Sequence, residues 1–446
     1  ALIASIAAAV WFASPDAPYV PSEDSGAALG TAAPAEDGYA EHETTEPAGY
    51  TPVSSDSDVD TMRSEGRGSK DDGSNYKYIL MGNITIDSID LTAWVDTEED
   101  GKPWKGELDG NGYTITINAA TASGEYYDTG GLFSVIGGGA YVHDLTIVVQ
   151  NVRVDNNEGS ANFGVIAGNA CGAVTVDNVY IRLDKDSSNN GDAYVSSNGY
   201  TWLGGVFGKV EGSGVSIKNT TVYNAAAGSR GFSGTMVNNF GVYVGGFVGS
   251  IDKGDLTVSN IAYKADDNAK IFAVAESGAS GWGGRNTTLT GGVLGYHNDG
   301  SFTLDGLIFD AKVSLDSSFG TNGKPAHAAY IVGQVDGGLS DTWSNIYINA
   351  ANGTTWLDGN NETRGNFIRY DAATFTDARF TDDEKIAFAV ARQNPASAGS
   401  VMRTIVQENT TTTLSDAEIA DIVSSGDGPA WITVDRVNAT GKNSLS

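Results

Sequence analysis

The chain has a single cysteine, Cys171, so no disulfide can close within it. Basic residues are scarce: 26 Lys and Arg stand against 56 Asp and Glu, giving a formal net charge of −30. A nucleic-acid binder needs a basic footprint, so that partner is not expected. Docking on anionic lipid is disfavoured for the same reason. No apolar run reaches the roughly 20 residues needed to cross a bilayer, so no membrane span is expected. The four histidines, His42, His143, His297 and His327, show no pairwise metal-ligand spacing, which argues against zinc. His143 sits beside Asp144 and can form a local pair. Its place in the strand alternation points outward, so it is expected at the surface. Proline is also sparse, and six of the ten lie before residue 70.

Glycine is abundant, at 58 residues, without a collagen-like period. It falls between short apolar runs, which is the punctuation of an all-β chain. One phrase recurs six times: Gly130–Ile136, Phe163–Asn169, Gly204–Val210, Gly245–Ile251, Gly291–His297 and Ala329–Val335. A strand with a polar corner follows each copy. The corner residues are Asp144, Asn178, Asn219, Asn260, Gly306 and Asn345, each 13 to 15 residues beyond the second position of its phrase. Near-constant spacing within units and variable spacing between them marks a stacked repeat with loop insertions on one side. Corner Asn and Asp side chains can bond the equivalent residue one turn away, so Asp144, Asn178, Asn219, Asn260 and Asn345 are expected to form a structural ladder.

The stretch LDGNGYTITI…GGLFSVIGGGAYVHDLTI at residues 108–147 resembles the GLUG-type repeat of secreted bacterial surface proteins. The resemblance extends over residues 76–350. It implies a right-handed parallel β-helix of the pectate-lyase-like superfamily and an extracellular or cell-surface location. It implies no particular activity, because that architecture hosts lyases, hydrolases and adhesins alike.

Three regions follow. Residues 1–70 read as an extended, acidic, Pro-rich arm with too little apolar periodicity to fold alone. Residues 71–370 read as the solenoid. Residues 371–446 carry two capping boxes, at Thr381–Glu384 and Ser415–Glu418, and read as a small α/β cap or assembly module. The apolar start of the arm, with Leu2, Ile3, Ile6, Val10, Trp11 and Phe12, fits either a signal-peptide remnant or an element donated to the next copy. On the second reading the protein is its own partner, a filament or surface-layer subunit joined by the arm and by end-to-end stacking.

A non-catalytic structural role is the leading expectation. The first alternative is an adhesin whose inserted loops contact surface glycans through Tyr194, Tyr200, Trp202 and Trp282. The second is a polysaccharide lyase or hydrolase, which would need carboxylates converging from neighbouring turns. No cofactor is expected. Asp184, Asp186 and Asp192 give the segment 184–192 the oxygen density of a calcium loop, but the turn glycine and distal Glu of such loops are missing, which favours a solvated turn. Sequons in loops make Asn286, Asn352 and Asn361 the candidate glycan acceptors.

Overall fold

The computed structural model describes residues 45–70, 74–93, 102–122, 124, 126–184, 193–226, 231–237, 240–265, 269–275, 287–316, 326–336, 341–349 and 434–437. They form an all-β parallel solenoid. From Phe133 to Ala329 every turn contributes to each of four long sheets, the long-sheet share splitting once into Val215–Lys218 and Thr221–Asn224, and these turns pair in parallel. The glycine phrase supplies the first sheet, with strands Phe133–Ile136, Ala167–Ala170, Phe207–Val210, Val248–Ile251, Leu294–His297 and Val332–Val335. The corner strands, such as Ala140–Val149, Val174–Leu183 and Asp255–Ala265, build the long sheet. A third sheet runs from Arg153–Asn156 to Lys312–Asp316. The fourth, here the return sheet, holds Tyr127–Gly130, Ser160–Gly164, Tyr200–Gly204, Gly241–Gly245, Thr287–Gly291 and Ala326–Ala329.

Period-two alternation decides which side chains enter the core. Phe163, Leu203 and Val244 stack inward from the return sheet, and Phe207, Val248 and Leu294 stack inward from the glycine sheet. Each such burial contributes roughly 1.5–3 kcal/mol. The register also corrects the reading of the second repeat. Phe163 pairs with Gly130 in the turn before, but Gly164 pairs with Gly204 in the turn after, so against the third copy the second begins one residue later than its glycine pattern suggested.

The segment read as an extended arm is folded over its last part. Thr51–Val53 pairs in parallel with Tyr78–Leu80, and helix Asp56–Glu65 follows at once. The Ser55 side chain caps the helix by accepting from the Asp58 amide, and Asp56 and Asp58 favour its N-terminus by charge. Val59 and Met62 are buried in the solenoid core. The Trp104 indole donates to the Met62 carbonyl at 3.0 Å and stacks on Phe133 at 4.1 Å. The helix therefore closes the core at the first turn. At the other end, Val434–Val437 pairs antiparallel with Asp341–Asn349. The remaining expectations for 371–446, and those for Leu2, Ile3, Ile6, Val10, Trp11 and Phe12, lie outside the described residues. Among the described residues no helix is long and apolar enough to cross a membrane.

Candidate ligand-binding groove

The corner residues explain their own identity through the backbone. Asp144, Asn178, Asn219 and Asn260 have φ of 51°, 55°, 50° and 51°, and Gly306 has φ of 86°. Asn, Asp and Gly are the residues that tolerate this left-handed conformation. Side-chain bonding between turns is partial. Asn178 Nδ2 donates to Asp144 Oδ1 at 2.5 Å and Asn260 Nδ2 to Asn219 Oδ1 at 3.4 Å, whereas Asn219 Nδ2 turns to Asp177 Oδ1 at 2.6 Å. Asn345 falls opposite Gly306 in register.

A groove forms where the outer surfaces of the return and glycine sheets meet. The middle residue of most glycine-sheet strands is glycine: Gly168, Gly208, Gly249, Gly295 and Gly333. A Cβ on Gly208 would lie 1.8 Å from Asn162 Oδ1, and one on Gly249 2.8 Å from the Leu203 amide nitrogen. The bare backbone lets the two sheets fold against each other and makes the corner concave. Two outward rows then face one another across it. Thr129, Asn162, Trp202, Tyr243, Leu289 and His327 come from the return sheet. Val135, Asn169, Lys209, Ser250, Tyr296 and Gln334 come from the glycine sheet.

Aromatic rings line this corner. Tyr200 stacks on Trp202 and Tyr243 on Tyr296, each at 5.0 Å. The Lys209 ammonium lies 4.6 Å from the centre of the Trp202 ring. Beside them is a small recess of about 10 Å³, room for one water molecule, lined by Tyr127, Asp128, Thr129, Ser160, Asn162, Asn169, Trp202 and Lys209. Three buried atoms from this lining, Asn162 Oδ1, Asn169 Oδ1 and Trp202 Nε1, have no hydrogen-bond partner among the described residues. Buried polar atoms are normally paired, so one donor and two acceptors around a recess of this size mark a place for a bridging water at the floor of the groove.

One more row runs along the glycine-sheet side: Glu211, Asp252, Asn298 and Asp336 directly follow the strands and continue the inter-turn hydrogen bonding. Lys209 Nζ bridges Glu211 Oε1 at 2.7 Å and Asp252 Oδ2 at 2.9 Å, and Asn169 Nδ2 donates to Glu211 Oε2 at 2.6 Å. Burial alone pushes the Glu211 carboxyl up. The Lys209 charge and the hydrogen bonds from Lys209 and Asn169 outweigh it and hold the group below its ordinary value. Burial alone pulls Lys209 down, but Asp252 and Glu211 hold it above its ordinary value. Burial, reinforced by Asp336, pushes the Tyr296 phenol up, so it stays a hydroxyl donor at neutral pH. A carboxylate row on one face is what the sequence reading did not find.

The expected glycan contacts divide. Tyr200 and Trp202 lie in the groove. Tyr194 belongs to the third sheet, where its hydroxyl is 2.9 Å from both oxygens of Asp155. Trp282 lies outside the described residues, as do Asp186, Asp192, Asn286, Asn352 and Asn361. Asp184 pairs with Arg182 Nε at 2.6 Å.

His143 corrects an expectation: it is 8% exposed, not a surface residue. Its alternation does point outward, but Tyr141 stacks on the ring at 4.1 Å and carboxylates surround it. Nδ1 lies 2.8 Å from Asp144 Oδ2 and 3.9 Å from Asp109 Oδ1, and Nε2 lies 3.7 Å from Glu107 Oε1. The pairing with Asp144 is the one the sequence suggested.

No protein-family model matches the chain, and no curated protein matches it. The GLUG-type resemblance thus has no family match behind it, while the parallel solenoid it implied is the observed architecture. Among solved structures, the chain is similar to a putative immunoglobulin A1 protease from Bacteroides ovatus. Identity is 16% and the TM-score 0.32, over 60% of this chain and 84% of that one. A likeness at that level carries nothing about what this chain binds or cleaves.

Proposed function

We propose that this protein is an extracellular, non-catalytic solenoid that binds glycans along the groove between the return and glycine sheets. One observation supports the reading: the neighbouring rings of Tyr200, Trp202, Tyr243 and Tyr296 line this corner beside the polar side chains of both sheets. Sugars present apolar C–H faces and rings of hydroxyls, which suit an aromatic plane bordered by fixed donors and acceptors. Binding is favoured over hydrolysis by the state of the carboxylates. A glycosidase needs one carboxylic acid with a raised pKa. Glu211 is instead held ionised by Lys209, which also engages Asp252. Glycan binding is favoured over end-to-end filament growth because helix Asp56–Glu65 covers the first turn, the surface such stacking would use.

The test is binding of the intact chain to a panel of soluble and insoluble polysaccharides, with Trp202→Ala and Tyr194→Phe alongside. Retention of a polysaccharide that is lost with Trp202→Ala and kept with Tyr194→Phe supports the groove. Equal retention by all three proteins would place recognition elsewhere. Release of shorter oligosaccharides would replace the binding reading with an enzymatic one.

A further inference from the structure

We infer that Asp109, His143 and Asp144 form a binding site for one divalent transition-metal ion, zinc or manganese, between the neighbouring strands Glu107–Asp109 and Ala140–Val149. The site is separate from the glycan groove and rests on none of its residues. Each of the three residues offers one ligand atom, and all of these atoms lie within 4.8 Å of one another. Ligand atoms held about 2.0–2.2 Å from a common ion lie roughly 3–4 Å apart. The Nδ1–Asp144 and Nδ1–Asp109 separations of 2.8 and 3.9 Å bracket that range.

A second observation comes from the imidazole itself. The residue is over nine-tenths buried, and its Nε2 has no hydrogen-bond partner. That nitrogen is aimed at Glu107 Oε1, 3.7 Å away and beyond bonding reach. A buried imidazole set among carboxylates invites a cation on its Nδ1 side, where Asp109 and Asp144 converge; Glu107 faces the other nitrogen and stays with Lys77 and Tyr50.

The donor chemistry selects the ion. One imidazole nitrogen with carboxylate oxygens suits zinc or manganese, whereas calcium prefers an all-oxygen shell. This differs from the calcium site weighed at residues 184–192 in both place and chemistry. The consequence would be mechanical. Asp109 lies on strand Glu107–Asp109 and the other two on Ala140–Val149, and these strands are paired neighbours. An ion there clamps these two neighbouring turns together. Asp144 already receives Asn178 from the following turn, so the clamp extends along the corner.

The test is titration of the full-length, chelator-treated protein with zinc chloride, and separately manganese chloride, by isothermal calorimetry, with thermal unfolding as a second readout. Asp144→Asn is the informative variant, because Asn occupies the equivalent corner in three following turns and should fold there. His143→Gln is its partner, and Asp252→Asn is a distant control. One equivalent of metal should bind wild type and Asp252→Asn and raise their unfolding temperature. At least tenfold weaker binding is expected for both Asp144→Asn and His143→Gln. Undiminished binding by either of these variants, or no binding by wild type, overturns the assignment. Because the sugar panel requires no metal, its failure and this one are told apart.

Discussion

Replacing Lys209 with methionine should cost about 3 kcal/mol at neutral pH, the low end of the range for breaking a buried ion pair. The side chain is 7% exposed and sits between two carboxylates at 2.7 and 2.9 Å. Methionine fills most of the volume, so a cavity contributes little. The loss comes from leaving two carboxylates facing each other in a corner with little water. Asp252 is 28% exposed and can rehydrate, and Glu211 keeps its bond from Asn169, which holds the cost toward the lower end. The triple variant Lys209→Met, Glu211→Gln, Asp252→Asn removes all three charges and should recover most of the loss, because an uncharged set of similar shape is close to neutral. Urea unfolding with an unchanged slope is the assay. Equal destabilisation in the single and triple variants would refute the electrostatic account and leave packing as the cause.

The same pair sets a pH window. Glu211 lies below its ordinary 4.5 in the folded state, so its contribution is present above that value and fades as pH falls through the lower, folded one. Lys209 lies above its ordinary 10.5, so its contribution is full below that value and fades as pH climbs through the higher, folded one. The wild-type advantage over Lys209→Met should therefore hold at pH 7 and shrink near pH 4, measurable as converging urea midpoints. Asn260→Ala should cost about 1–2 kcal/mol, from the left-handed φ and the lost bond to Asn219, while Asn260→Gly should cost less because Gly needs no strain there; paired thermal or urea melts compare them. Gly249→Ala should destabilise by about 3 kcal/mol or more, since its Cβ would lie 2.5 Å from the Gly208 carbonyl oxygen and 2.8 Å from the Leu203 nitrogen, both backbone atoms. A soluble, wild-type-like melt for that variant would contradict the close approach of the two sheets.

The solenoid was legible because its signals are local. Each glycine phrase is a short strand with turn residues at its edge, and each corner Asn or Asp announces a backbone that other residues resist. The slip at Phe163 arose because Phe163 and Gly164 both fit the start of the pattern, and inter-turn pairing alone chooses between them. Helix Asp56–Glu65 was missed because only Val59 and Met62 mark its buried face, too few apolar residues for a helical period among acids and serines. The groove was illegible for a different reason. Lys209 meets Glu211 two residues away, but also Asp252 from the next turn and Trp202 from across a corner. Nothing in the strand alternation says that two outward surfaces fold toward each other. The inner glycine of five of the six phrases was the available sign, and it was read as turn chemistry, not as close approach. His143 failed similarly: outward-facing was right, but Tyr141 and Glu107 cover it.

The glycine row has a consequence for how such a molecule can change size. From the second glycine phrase on, every turn repeats the close contact and adds one strand spacing of corner, about 4.8 Å. Losing or duplicating a whole unit would shorten or lengthen the cleft by that step without altering its cross-section. Within the corner itself, turns differ in the pair of residues presented outward, Asn162 with Asn169, Trp202 with Lys209, Tyr243 with Ser250. On the proposed binding role, reach and selectivity would be separate variables: the number of units would measure the ligand, and two positions per unit would read it.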